Sequence, residues 1–209
     1  MSTTVTEALP CRRLLGKVAL VTGGATGIGE SIDNVGLQVC ESLGGGPNVC
    51  YFHCDVTKEA DVSSAVDFTA DKYGTLDIMV NNAGVSGSPC PDIRNADLSE
   101  FEKVFDINVK GVFLGMKHAA RMMIPLKKGS IISLCSVASI TGGLGPHAYT
   151  GSKHAILGLT KNVAAELGIH GIRVNCVSPY AVCNRYISGD NLMIDGGFTS
   201  VNHSLRVFR

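Results

Sequence analysis

Neither sign of charge is in excess in this chain of 209 residues: Lys plus Arg number 18, and Asp plus Glu number 18. No basic surplus exists to recruit phosphate backbones, which argues against nucleic acid or an anionic membrane as the main partner. No apolar run approaches the ~20 residues that span a bilayer. The first sixteen residues carry Glu7, Pro10, Arg12 and Arg13 but no apolar core segment. A secretory leader is therefore not expected, and residues 1–15 read as a loose leader. There is also no long polar tract and no composition shift, so a single domain over 16–200 with a tail at 201–209 is expected.

Cysteine is not scarce. Eight are present, at 11, 40, 50, 54, 90, 135, 176 and 183. Their dispersed spacing and the missing leader suit free thiols in a reducing compartment, here the cytoplasm. Cys50, His53 and Cys54 come near metal-ligand spacing, but Asn48 to Val56 alternates as a strand and would send His53 to the face opposite the two thiols. No metal is expected. Asn202-His203-Ser204 is formally a glycosylation sequon, without meaning in a chain that is not secreted.

The chemistry starts at Tyr149 and Lys153. Four apart on a helix they share one face, so the lysine charge favours a tyrosine phenolate and suits the pair to acid–base work. Ser136 lies thirteen residues upstream. Nearer the start, Val18-Ala19-Leu20-Val21 runs straight into Thr22-Gly23-Gly24-Ala25-Thr26-Gly27-Ile28-Gly29. This is a strand, a glycine-rich turn and a helix start, an arrangement that brings backbone N–H groups close to a pyrophosphate. Strand-like runs recur at 18–22, 49–54, 76–80, 130–135, 172–177 and 192–195, with helical patterns at about 58–73, 99–123 and 148–168. That alternation predicts an α/β, doubly wound parallel sheet of the Rossmann kind. Gly23 to Gly29, Asp55, Asn81 to Gly84, Ser136 and Pro179 would each follow a strand directly, on the edge where such sheets bind ligands.

Thr22-Gly23-x-x-x-Gly27-x-Gly29, Asn81-Asn82-Ala83-Gly84, Asn108, Ser136 and Tyr149-x-x-x-Lys153 together resemble the short-chain dehydrogenase/reductase family. The segments around His147, Pro179 and Asp195 look most like its plant branch, which contains xanthoxin dehydrogenase and secoisolariciresinol dehydrogenase. The resemblance implies a catalytic set of Asn108, Ser136, Tyr149 and Lys153. It also implies an NAD site, with NADP left open, built from Gly23, Thr26, Gly27, Ile28, Gly29, Asp55, Val56, Asn82, Ala83, Gly84, Tyr149, Lys153 and Pro179. Asn108 would kink its helix and anchor a proton-relay water, Ser136 would hold the reacting oxygen, and Lys153 would also hold the nicotinamide ribose. The implied substrate is a small apolar alcohol or ketone, in the plant branch a terpenoid or apocarotenoid such as xanthoxin. The helices at 99–123 and 148–168 would form a dimer face, making a homo-oligomer, dimer or tetramer.

The pattern breaks twice. After the glycine motif, Ile28, Ile32, Val35, Val39 and Leu43 make one helical stripe that Gly44-Gly45-Gly46-Pro47 stops. A helix, the second strand and another helix are thus replaced by a single helix, and Asp33, still on it, cannot serve as the ribose carboxylate. After Pro179 only fourteen residues, 178–191, precede the last strand, too few to add a packed crossover helix. One sheet face near the last two strands should lose its cover. Two readings follow: an alcohol dehydrogenase, or a catalytically impaired shortened form that acts by pairing with full-length subunits.

Overall fold

The computed structural model describes residues 14–24 and 31–179, the side chains of 31–35 excepted. Four strands, β1 (Ala19–Val21), β2 (Ile78–Asn81), β3 (Gly129–Leu134) and β4 (Ile172–Val177), pair in parallel in the order β1-β2-β3-β4. Five helices accompany them: α1 (Ser31–Ser42), α2 (Glu59–Tyr73), α3 (Leu98–Phe105), α4 (Gly111–Leu126) and α5 (His147–Leu167). A single π-helical turn, Asp106–Lys110, joins α3 to α4, so the helix expected at 99–123 is interrupted at Asn108.

The register puts Leu20, Met79, Ile131 and Val174 in one row across all four strands. This row is the centre of the core, with Met79 and Ile131 fully buried. Met116 and Met123 of α4, Ile156 and Leu167 of α5 and Val66 of α2 close over it. The next row, Val21, Val80, Ile132 and Asn175, points the other way. Parallel sheets normally have both faces covered. Here no described helix packs on the second face, where Val21 is 51% exposed and Val80 and Ile132 are half-buried. Among the described residues this face is most open at β1, whereas Asn175 of β4, in the same row, is buried. At the opposite end of the strands from the glycine turn, Asp77 is buried and accepts from the Val18 N–H, Lys17 Nζ and Lys128 Nζ at 3.1, 3.3 and 2.7 Å.

The strand expected over 49–54 does not form. In the doubly wound order the third strand reaches the first only through the second. With the second strand missing from the chain, no ladder edge lies beside residues 49–54. They run extended between helices: the Tyr51 ring lies against Gly36 of α1, Phe52 contacts Phe68 of α2 at 4.8 Å, and the Tyr73 hydroxyl donates to Cys50 Sγ at 3.2 Å. The expected strand 192–195 lies outside the described residues, as do Cys11, Cys183 and the tail.

Candidate active site

Where β1 ends, Thr22 and Gly23 lock onto the turn that follows β2. The Thr22 hydroxyl oxygen accepts from the N–H groups of Asn82 and Ala83, both at 3.1 Å, and Asn82 Nδ2 donates to the carbonyls of Thr22 and Gly23 at 2.9 and 3.1 Å. Gly23 has φ +70°, and a Cβ there would fall 2.7 Å from Ala83 Cα. Glycine is the residue this close crossing requires. At Gly24, by contrast, a Cβ would meet nothing within 4 Å among the described residues. Thr26, Gly27, Ile28 and Gly29 lie outside the described residues.

The π turn explains how Asn108 serves the site. Its amide is fully buried, with Oδ1 accepting from the Val85 N–H at 2.8 Å and Nδ2 donating to the Val85 carbonyl at 2.8 Å and to Ser152 Oγ at 3.0 Å. Those bonds pin the Asn82–Gly84 turn, whose Gly84 could bear a Cβ only 3.2 Å from Asn108 Oδ1 and 3.8 Å from Lys153 Nζ. Lys153 enters from α5. Its Nζ donates to the Leu134 carbonyl at the end of β3 at 2.7 Å and stands 5.4 Å from the centroid of the half-buried Tyr149 ring. Burial pushes the Lys153 ammonium below the usual lysine value, opposed only by the Cys135 thiolate form nearby. The Cys135 thiol in turn donates to the Lys153 carbonyl at 3.2 Å.

Ser136 follows directly. Its hydroxyl oxygen caps the short turn Val137–Ser139 by accepting from the Ala138 N–H at 3.1 Å, which leaves the hydroxyl proton to donate elsewhere. Capping and contact with a reacting oxygen are thus compatible. Pro179 lies alongside, its carbonyl accepting from the Val137 N–H at 3.1 Å.

Asp55 and Val56 are placed differently from expectation. No strand precedes them, so Asp55 does not sit at a strand end, and it does not cap α2, whose first flanking residue is Lys58. Instead its carboxylate accepts from the Thr57 N–H and hydroxyl at 3.0 and 2.8 Å. Burial pushes the Asp55 carboxyl up, but the bonds from Thr57 and Lys58 outweigh this and hold it below the usual carboxylate range. Val56 packs against the start of α4 at Gly111, where a Cβ would fall 3.0 Å from its Cγ2. Burial, with the Asp61 and Asp55 carboxylates, pushes the Cys54 thiol up to about 11. Among the described residues no three His, Cys, Asp or Glu side chains gather as metal ligands, and no helix is long and apolar enough to cross a membrane.

Thr22, Val85, Leu134 and Ser152 were not read from the sequence as site residues. Thr22 stands at the head of the glycine motif, and Ser152 lies three residues beyond Tyr149 and so on the adjoining helical face; Val85 and Leu134 leave no trace there.

A parallel sheet whose carboxyl edge brings a glycine crossing, a buried asparagine, a serine and a tyrosine–lysine pair to one end defines a dinucleotide-dependent oxidoreductase fold. The profile of the short chain dehydrogenase family matches residues 32–187, and the chain belongs to that family. It is 56% identical to (+)-borneol dehydrogenase 2 of Salvia officinalis over 272 aligned positions, covering 97% of this chain and 96% of the relative. It is 52% identical to xanthoxin dehydrogenase of Arabidopsis thaliana over 275 positions, with 97% and 96% covered. Since the chain has 209 residues, at least 63 of the 272 positions face gaps in it (272 against 209). Among solved structures, NAD+-bound xylitol dehydrogenase superposes with a TM-score of 0.65 at 34% identity, covering 72% of this chain and 56% of that one. ElxO with NADP bound gives 0.69 at 29% identity, covering 78% and 73%. The family binds NAD or NADP, and the two neighbours hold one each.

Proposed function

We propose that the chain is an NAD(H)-dependent oxidoreductase that interconverts a secondary alcohol with its ketone on a small apolar substrate, a terpenoid or apocarotenoid of the xanthoxin type. The reading is carried by one observation: Lys153 Nζ bonds the carbonyl two residues before Ser136, while Asn108, one bond away through Ser152, bonds the turn after β2. The residues present fit a dinucleotide in part. Gly23, Gly24 and Asn82 to Gly84 form a cradle start, and Lys153 and Tyr149 would hold the nicotinamide ribose. The cofactor, when bound, accepts or returns a hydride. Tyr149 then takes the alcohol proton in oxidation and returns it in reduction, Lys153 stabilises the phenolate by its charge, and Ser136 donates to the reacting oxygen as charge develops there. The choice of NAD over NADP rests on the plant-branch resemblance alone, because the strand that would end in the ribose carboxylate is missing. Turnover of a borneol- or xanthoxin-type alcohol with NAD+ tests the reading, and absence of any NAD+-dependent oxidation across such a panel refutes it.

A second reading is favoured by the uncovered sheet face and the missing second strand: a catalytically impaired form that pairs with full-length subunits through α4 and α5. Supporting it, these helices present a groove lined by Phe113, Lys117, Ala120, Arg121, Val163 and Glu166, with Phe113 47% exposed. The same groove would serve a homo-oligomer. Mixing with a full-length relative separates the two: co-purification with loss of the relative's activity supports pairing, and independent turnover supports the enzyme.

A further inference from the structure

The first turn of α5, which carries Tyr149, is poorly secured along the helix axis. Its flanking residue is Pro146, which gives no side-chain cap, and no acidic residue lies in the first turn to favour the helix N-terminus. What secures this turn is lateral. Ser152 has no exposed surface. Its hydroxyl donates to the Tyr149 carbonyl at 2.7 Å and accepts from Asn108 Nδ2 at 3.0 Å. Because a serine hydroxyl has one proton and that proton is committed to Tyr149, the Asn108 amide must be the donor across the helix pair. Its orientation is fixed independently, since Oδ1 must face the Val85 N–H. On the other side of the same turn, Lys153 is held twice, by the Leu134 carbonyl at the end of β3 and by the Cys135 thiol just beyond it.

We propose that Ser152 is a positioning residue: its hydroxyl couples the Asn108 amide to the turn bearing Tyr149 and thereby sets where Tyr149 and Lys153 stand against the end of β3. The inference rests on the proposed dehydrogenase reading for its catalytic consequence but not for its geometry. With the hydroxyl removed, one Asn108 N–H is left buried without an acceptor, and relief comes by rotation of the amide or by entry of water between the π turn and α5. Either one lets the turn drift from Val85 and Leu134, and Lys153 gains solvent.

The test uses the full chain with 15N-labelled lysine, following the Lys153 amine by NMR through a pH titration and assigning it by its loss in Lys153→Arg. In the wild type burial holds Lys153 below the usual lysine value. Ser152→Ala should move it up toward the ordinary ~10.4, and Ser152→Thr, which keeps the oxygen, should restore it. If Ser152→Ala does not fold, Ser152→Cys, of near-equal size with a weak donor and acceptor, should show the same upward move. A folded Ser152→Ala or Ser152→Cys chain whose Lys153 titrates as in the wild type overturns the proposal, since a merely structural role changes the melt and not this titration. With NAD+ and a secondary alcohol, Ser152→Ala should lower kcat about tenfold at unchanged KM. An equal loss in KM alone would also overturn it. A wild type that oxidises no alcohol while the Lys153 shift still appears refutes the dehydrogenase reading and leaves the coupling standing.

Discussion

Replacing Gly23 with alanine perturbs the site at a single carbon. Two costs add. The residue holds φ +70°, which costs an L side chain roughly 1–2 kcal/mol. The new Cβ would lie 2.7 Å from Ala83 Cα and 2.9 Å from Ala83 N, both backbone atoms that cannot step aside as a side-chain tip can. Moving Ala83 away stretches the pair of bonds that Thr22 Oγ1 accepts from Asn82 and Ala83. Losing the better part of two bonds costs about 1 kcal/mol each. The sum is about 3 kcal/mol, or roughly 6–12 °C in Tm for a domain of this size. Gly24→Ala is the control, because a Cβ there meets nothing within 4 Å and its φ is ordinary. Circular-dichroism melts of both variants beside the wild type, with and without NADH, read the effect. The Gly23 variant should melt well below the wild type and lose any NADH response, while the Gly24 variant stays close to the wild type without cofactor. Equal melts for the two variants would refute the claim that the glycine is held by this crossing.

Tyr149→Phe should abolish turnover in single-turnover oxidation, while Lys153 and the Gly23 crossing keep an NADH-induced rise in Tm that is smaller at most by the lost ribose contact; turnover at the wild-type rate would remove the tyrosine from the chemistry. Asp77 is held below the usual carboxylate range: burial pushes it up, but Lys128, the Val18 N–H and Lys17 outweigh burial. A carboxylate depressed in the fold adds stability above its unfolded value of ~3.9 and loses it as pH falls through the folded value. Asp77→Asn should therefore cost about 1–3 kcal/mol at pH 7 and little at acid pH, by urea unfolding across pH 3–7. Phe113→Asp on the α4–α5 groove should shift a paired species to monomer in light scattering. An unchanged mass would remove that groove as the interface.

The parts of the fold legible in the sequence are those that carry their partners with them. Val18 to Val21, Ile78 to Val80, Ile131 to Leu134 and Ile172 to Val177 are apolar runs that each keep at least one neighbouring strand, and each forms a strand within a residue or two of its reading. A helix after the glycine motif was also legible, because the glycine stop is local, but Leu43 of its expected stripe falls beyond α1 and is exposed. Residues 49–54 have an equally good strand pattern but no edge to pair with, and pattern alone does not contain the partner. The site divides in the same way. Asn108, Ser136, Tyr149 and Lys153 were readable from spacing and family resemblance. The groups that hold them, such as the Val85 backbone and the Leu134 carbonyl, act across the sheet edge and leave no spacing of their own. Asp55 was misplaced because its role depended on the strand that did not form.

The central claim is that the shortened sheet still closes a cofactor site, and a thermal melt of the wild-type chain with and without saturating NADH tests it most directly. A ligand that binds only the folded form at a hundredfold excess over Kd adds about 2.7 kcal/mol, or roughly 5–11 °C for a domain of this size. The account predicts one cooperative transition that rises by that amount. A transition indifferent to NADH, or none at all, would contradict it.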